Sequence, residues 1–120
     1  MVENVVRLTI KMTVNENQLD AFKNIAHSTT EACKAEPGTI GYEWFADGDG
    51  KRFRLMETYV DANAAAAHFL GPVVQQWLPT LAAQCTVEGV ELYGNPGPKG
   101  TELAVGLGAV IFPYRFGLDR

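Results

Sequence analysis

From Val6 to Val14 apolar and polar residues alternate without a break. Val6, Leu8, Ile10, Met12 and Val14 fall on one side, and Arg7, Thr9, Lys11 and Thr13 on the other. A period of two belongs to a β-strand with one face buried and the other toward solvent. A slip of one residue would send every apolar side chain to the wrong face, so the pattern itself pins the register. The chain must therefore build a sheet with a dry side, and the residues that follow have to cover it.

The cover begins at once. Asn15 is placed to cap a helix, with Gln18 as its reciprocal partner. Leu19, Phe22, Ile25, Ala26, Thr29 and Cys33 then form one stripe at helical spacing. Glu36-Pro37-Gly38 closes the helix, because Pro37 disfavours helical geometry at Glu36 and Gly38 permits a turn. Thr39 to Ala46 is rich in β-branched and aromatic residues, Asp47-Gly48-Asp49-Gly50 is a hairpin signal, and Arg52 to Val60 is the returning strand. Asp61 caps a second helix through Ala64-Ala65-Ala66-Ala67. Gly71-Pro72 interrupts it, Pro72 opens a further helical stretch to about Gln84, and Thr86 to Gly94 reads as the fourth strand.

The order βαββαβ predicts an α+β, ferredoxin-like sandwich: a four-stranded antiparallel sheet with both helices on one face. Its second face stays uncovered, and a second copy of the chain is the simplest cover. We place this domain at residues 1–95. Residues 96–120 start as a linker, Asn95-Pro96-Gly97-Pro98-Lys99-Gly100 leading in, and continue as a tail too apolar to stay in solvent. We expect a short helix near Thr101–Leu107 and an extended piece through Phe116, packed on the same chain or on a partner.

A chain of 120 residues with 47% apolar and 20% charged residues can bury a core unaided. Its net charge of −4 and the lack of any Lys/Arg run argue against nucleic acid or an anionic membrane as partner. The first residues read as the start of a strand, not as a signal peptide. Leu103 to Phe112, the longest apolar run, has about half the ~20 residues a membrane span needs. Cys33 and Cys85 are far apart and without a CxxC spacing, so both read as buried free thiols in a cytoplasmic protein.

No GxGxxG, Walker A, HExxH or GxSxG occurs, and two distant histidines give a metal site little support. His27 falls on the polar side of the first helix and reads as a solvated surface residue. His68 ends the alanine run beside Phe69 and Leu70. Small alanines either let this helix approach the sheet closely or leave a void above it. In a void, His68 could accept a proton from a ligand at neutral pH; otherwise it is a hydrogen-bonded, partly buried histidine. Glu57 shares a strand face with Phe53, Leu55 and Tyr59, so it is either paired or raised in pKa. Tyr42, Trp44 and Trp77 are core aromatics unless the core is hollow, in which case they wall a planar-ligand pocket.

Taken in order, Glu36-Pro37-Gly38-Thr39-Ile40-Gly41-Tyr42-Glu43-Trp44, then Glu57-Thr58-Tyr59-Val60-Asp61, then Ala64 and His68 resemble the antibiotic-biosynthesis-monooxygenase family, in its quinol-monooxygenase-like style. The resemblance covers about residues 5–94 and leaves the tail outside. It implies a homodimer whose two sheets close an α+β barrel, and oxygenation of quinols or related phenols with no metal, flavin or haem. The family's histidine maps onto His68, and its acidic and aromatic strand positions onto Glu57 and Tyr59. The haem-degrading branch of the superfamily fits less well, because Gln76-Trp77-Leu78-Pro79 holds no histidine where that branch has its iron ligand, and Val6 stands at the position of its strand asparagine.

Two readings follow. In the first, the chain is a cofactor-independent monooxygenase with His68 as proton acceptor, Glu57 orienting it or the substrate, and Trp44, Tyr59, Phe69, Trp77 and Tyr42 lining an apolar pocket for a small aromatic ligand. In the second, the same dimeric scaffold only binds a ligand or assembles, with the tail plugging the cavity.

Overall fold

The computed structural model describes residues 2–119. Strand β1 (Val6–Val14) runs through the interior of the sheet, and its five apolar residues are all buried, as alternation demands. With β2 (Thr39–Ala46), β3 (Arg52–Tyr59), β4 (Cys85–Tyr93) and β5 (Ala109–Phe112) it forms one sheet in the order β2-β3-β1-β4-β5. The first four strands are antiparallel and have the ferredoxin-like arrangement.

The fifth strand corrects the expected four-stranded sheet. The tail is not an appendage: helix α4 (Gly97–Gly106) carries the chain back so that β5 pairs parallel to β4, giving a mixed sheet. The cause is the apolar content of the tail. Ala109 and Ile111 stand opposite Val90 and Leu92 and extend the dry face by one strand, while Ala104 of α4 is fully buried. Gly97 and Gly108, both at positive φ, make the turns into and out of α4, which starts four residues before the expected Thr101.

Helix α1 (Leu19–Cys33) buries Phe22, Ala26, Thr29 and Cys33 from the expected stripe. Its start differs from expectation. Asn15 does not cap it: the Asn15 backbone N–H donates to the Gln84 carbonyl (2.9 Å) and its side-chain amide to that of Ala83 (3.3 Å). Asn17 takes a left-handed turn (φ 66°), which Asn tolerates, and Gln18 precedes the helix without a side-chain bond. At helix α2 (Ala62–Leu70) the expected cap is present, the Ala64 N–H donating to Asp61 Oδ1 at 2.8 Å. After Gly71-Pro72 the chain makes a π-helical turn (Val73–Trp77) and the short helix α3 (Leu78–Ala83).

The alanine run allows close approach. A Cβ added to Gly38 would sit 2.5 Å from the Ala64 Cβ, so the turn after α1 presses directly on α2. The far face of the sheet is mixed, with Arg7, Lys11, Arg54 and Glu91 among partly exposed Phe45, Met56, Tyr93 and Phe112. Beyond β5 the chain continues without regular structure, Phe116 and Leu118 being 91% and 72% exposed. Among the described residues no helix is long and apolar enough to cross a membrane.

Candidate active site

Register places the carboxylate. Glu57 on β3 stands opposite Leu8 of β1 and Tyr42 of β2, on the buried face of the sheet. A lone carboxylate there would carry a large desolvation cost. Helix α2 supplies the answer, because Ala65, His68 and Phe69 turn inward at i, i+3 and i+4. His68 is 2% exposed, and its Nε2 lies 3.1 Å from Glu57 Oε1. Its other nitrogen, Nδ1, lies 2.6 Å from Oε1 of Glu36, in the turn after α1. The imidazole thus bridges two carboxylates. The Tyr59 hydroxyl donates to the same Glu57 oxygen, and the Thr39 hydroxyl donates to Glu36 (2.8 Å).

The electrostatics follow from this bridge. Burial alone would drive the imidazolium to lose its proton. The Cys33 thiol and the carboxylates of Glu57 and Glu36 outweigh burial and push the His68 pKa up to about 11. Carboxylate oxygens face both ring nitrogens, an arrangement that favours the doubly protonated, cationic ring. Burial pushes the Tyr59 phenol well above its ordinary value, reinforced by the Glu57 charge and hydrogen bond. Tyr42 is raised for the same first cause, with Glu57 second. Burial also raises the Cys33 thiol, so it is not an activated nucleophile.

Next to the bridge lies a small cavity of about 30 Å³, space on the scale of one water molecule. Thr29, Tyr42, Glu57 and His68 form its polar end. Leu8, Ile10 and Leu55 of the sheet, Phe69, Val73, Val74, Leu78 and Leu81 of the helical layer, and Leu107 after α4 form the rest. Of the residues singled out in the sequence, His68, Glu57, Tyr42 and Phe69 meet at this cavity. Tyr59, fully buried, stands behind Glu57 and is not among the lining residues. Trp44 is also apart: its indole N–H donates to the Thr30 hydroxyl (2.9 Å) and its ring packs edge-on against Phe22. Trp77 does not line the cavity either, and His27 is exposed.

Sequence reasoning missed Glu36, Cys33, Thr29 and Leu107. Glu36 was visible as part of a helix-ending turn and of the family-like motif but was given no chemical role, and Leu107 only as part of an apolar tail. Cys33, Glu36 and His68 each offer a ligand atom within 4.8 Å of the others, a donor set of a kind that transition metals accept. Both His68 nitrogens are already committed to carboxylates, so a metal there would have to displace Glu36 from Nδ1.

The profile of the antibiotic biosynthesis monooxygenase family matches residues 5–80. The chain belongs to this family. A search of curated proteins gives no match. Among solved structures, MupZ from Pseudomonas fluorescens superposes with a TM-score of 0.82 at 18% identity, over 98% of this chain and 95% of that one. SnoaB, a cofactor-independent oxygenase from Streptomyces nogalater solved as a point variant, gives 0.68 at 17% identity over 78% of this chain and 95% of that one. A candidate antibiotic biosynthesis monooxygenase from Nitrosomonas europaea gives 0.67 at 25% identity over 80% and 94%. The family profile ends before β4, while the MupZ superposition takes in nearly all of this chain, so α4 and β5 have a structural counterpart there.

Proposed function

We propose that this family member is a cofactor-independent monooxygenase that oxidises a quinol or related planar phenol with O₂ in the cavity beside Glu57 and His68. The observation that carries the reading is the carboxylate–imidazolium–carboxylate bridge at the polar end of an otherwise apolar cavity. Its geometry changes the division of labour expected from sequence. A cationic His68 has no free lone pair to accept a proton, so Glu57 is the first acceptor, and the positive charge of the resting His68 keeps it ionised for that role. An electron-rich anion in a dry site is the species that can pass an electron to O₂.

A cavity of about 30 Å³ does not hold a quinol, since pockets for such ligands run to ~300 Å³ or more. Substrate entry therefore requires the wall of Val73, Val74, Leu78 and Leu107 to part; this wall includes the π-helical turn, an element common at functional sites. The position of Leu107 also favours a second reading, a ligand-binding or assembly protein whose C-terminal segment plugs the cavity. A second copy of the chain, covering the mixed sheet face with its exposed Met56, Tyr93 and Phe112, is part of both readings, and light scattering at micromolar concentration should give the dimer mass.

Oxygen uptake with a panel of reduced quinones separates the two readings. We expect uptake by the wild-type chain and its loss in both Glu57→Gln and His68→Ala. No uptake by the wild type, or undiminished uptake by either variant, overturns the oxygenase reading.

A further inference from the structure

The His68 ring forms part of two surfaces at once. On its inner side it lines the small apolar cavity with Glu57, and on its outer side it lines a groove of about 470 Å³ with Glu36, Gly38, Ala64 and Ala67. Glu36 is the member of the bridge that reaches this groove, its side chain being 19% exposed against 2% for His68 and 4% for Glu57. The rest of the cavity wall is poor in groups that can carry a proton. Apart from Thr29 and Tyr42, both turned into the cavity, its remaining lining is hydrocarbon.

We propose that the Glu36–His68–Glu57 wall is a proton port, through which the apolar cavity exchanges protons with the outer groove. The proton movements balance without rotating the ring. At rest the two carboxylates and the imidazolium carry a net single negative charge. When Glu57 takes a proton from an acid in the cavity, His68 gives its Nδ1 proton to Glu36, across 2.6 Å, and Glu36 releases it to the groove. Glu57 is then neutral, His68 is neutral with its hydrogen on Nε2, and Glu36 is still an anion, so the net charge has not changed. That invariance matters in a buried cluster, where each uncompensated charge is costly. The reverse sequence returns a proton to the cavity when the product needs one.

Other groups around the ring do not short-circuit the path. The Tyr59 and Tyr42 phenols and the Cys33 thiol are all held in their protonated forms by burial. Glu36 is therefore a positioning and exit residue, outside the cavity. Its use in turnover rests on the oxygenase reading, but the port itself is a property of the resting protein.

Hydrogen exchange at the two ring N–H groups of His68 tests it without substrate, in chain labelled with ¹⁵N-histidine. We expect the wild-type Nδ1–H to exchange faster than the Nε2–H. Glu36→Gln should slow Nδ1–H exchange by about a hundredfold, the lower end of what a positioned acid–base group contributes. Ala67→Leu, at an exposed position, keeps Glu36 but fills the groove, and should slow the same hydrogen even if the Gln variant folds poorly. Equal exchange at both nitrogens in the wild type, or a wild-type rate in Ala67→Leu, overturns the port. Neither outcome depends on whether any quinol is oxidised.

Discussion

Removing the imidazolium should strand two carboxylates, and the size of that effect can be worked from the bridge. Glu57 and His68 are separated by 3.1 Å with side chains 4% and 2% exposed. At an effective dielectric of 20, two unit charges at this separation attract by about 5 kcal/mol, most of which repays their desolvation. Deleting only the cation removes the attraction and leaves the desolvation, so His68→Ala should cost about 3–5 kcal/mol. Glu57→Gln alone should cost less, because His68 keeps Glu36. In the double variant the more deeply buried of the two stranded charges is gone and only Glu36 lacks its partner, so about 2 kcal/mol of the summed single losses should return as coupling. Urea unfolding of the four proteins at pH 7 measures the cycle, with the slope of each transition checking that unfolding stays two-state. Losses that simply add would mean that Glu57 and His68 do not feel one another, and the electrostatic account of the site would fall with them.

Three further outcomes follow from the same structure. Because the His68 pKa is raised from 6.5 to about 11, its contribution to stability should be complete below pH 6.5 and be lost as pH rises toward 11; a neutral His68 ring by ¹⁵N NMR at pH 8 would contradict this. Gly38→Val should cost about 1–3 kcal/mol by overpacking against Ala64 and, by pushing the turn outward, should lower the His68 titration midpoint, both readable by urea melts and NMR. Asp61→Ala removes the cap bond to the Ala64 N–H and should cost about 1 kcal/mol by thermal or urea unfolding, with the His68 titration unchanged.

Much of the fold could be read before any coordinates. Alternation in Val6–Val14, the Asp47–Gly50 turn and the Asp61 cap are local signals, each complete within a few residues. What escaped was long-range. The tail's apolar residues announced burial, but nothing local said that α4 would turn the chain to add β5 in parallel, since that depends on a free edge at β4. Asn15 looked like a cap because its spacing to Gln18 fits, yet the carbonyls of Ala83 and Gln84 compete for it, and they are more than sixty positions away. At the site, Glu57 and His68 were visible as odd residues in apolar surroundings, whereas the aromatics Trp44, Tyr59 and Trp77 could not be told from core by type alone.

Glu36 shows why the remaining part was hidden, and what its position implies. In sequence it is an acidic residue before Pro-Gly, where a solvated helix end is the ordinary expectation. Its contact with His68 depends on Gly38 lacking a side chain and on Ala64 having only a methyl, so that the turn and α2 can touch. Neither small residue carries chemistry, yet together they bring a second carboxylate to the ring, which favours a cationic His68 at rest and gives its Nδ1 proton an acceptor. A single Glu57–His68 pair would leave Nδ1 to find another partner, and the site's charge would then change with every proton it took up. With Glu36 in place the charge is conserved and one end of the bridge faces the outer groove. The role of His68 is thus decided by two residues that a search for catalytic side chains passes over.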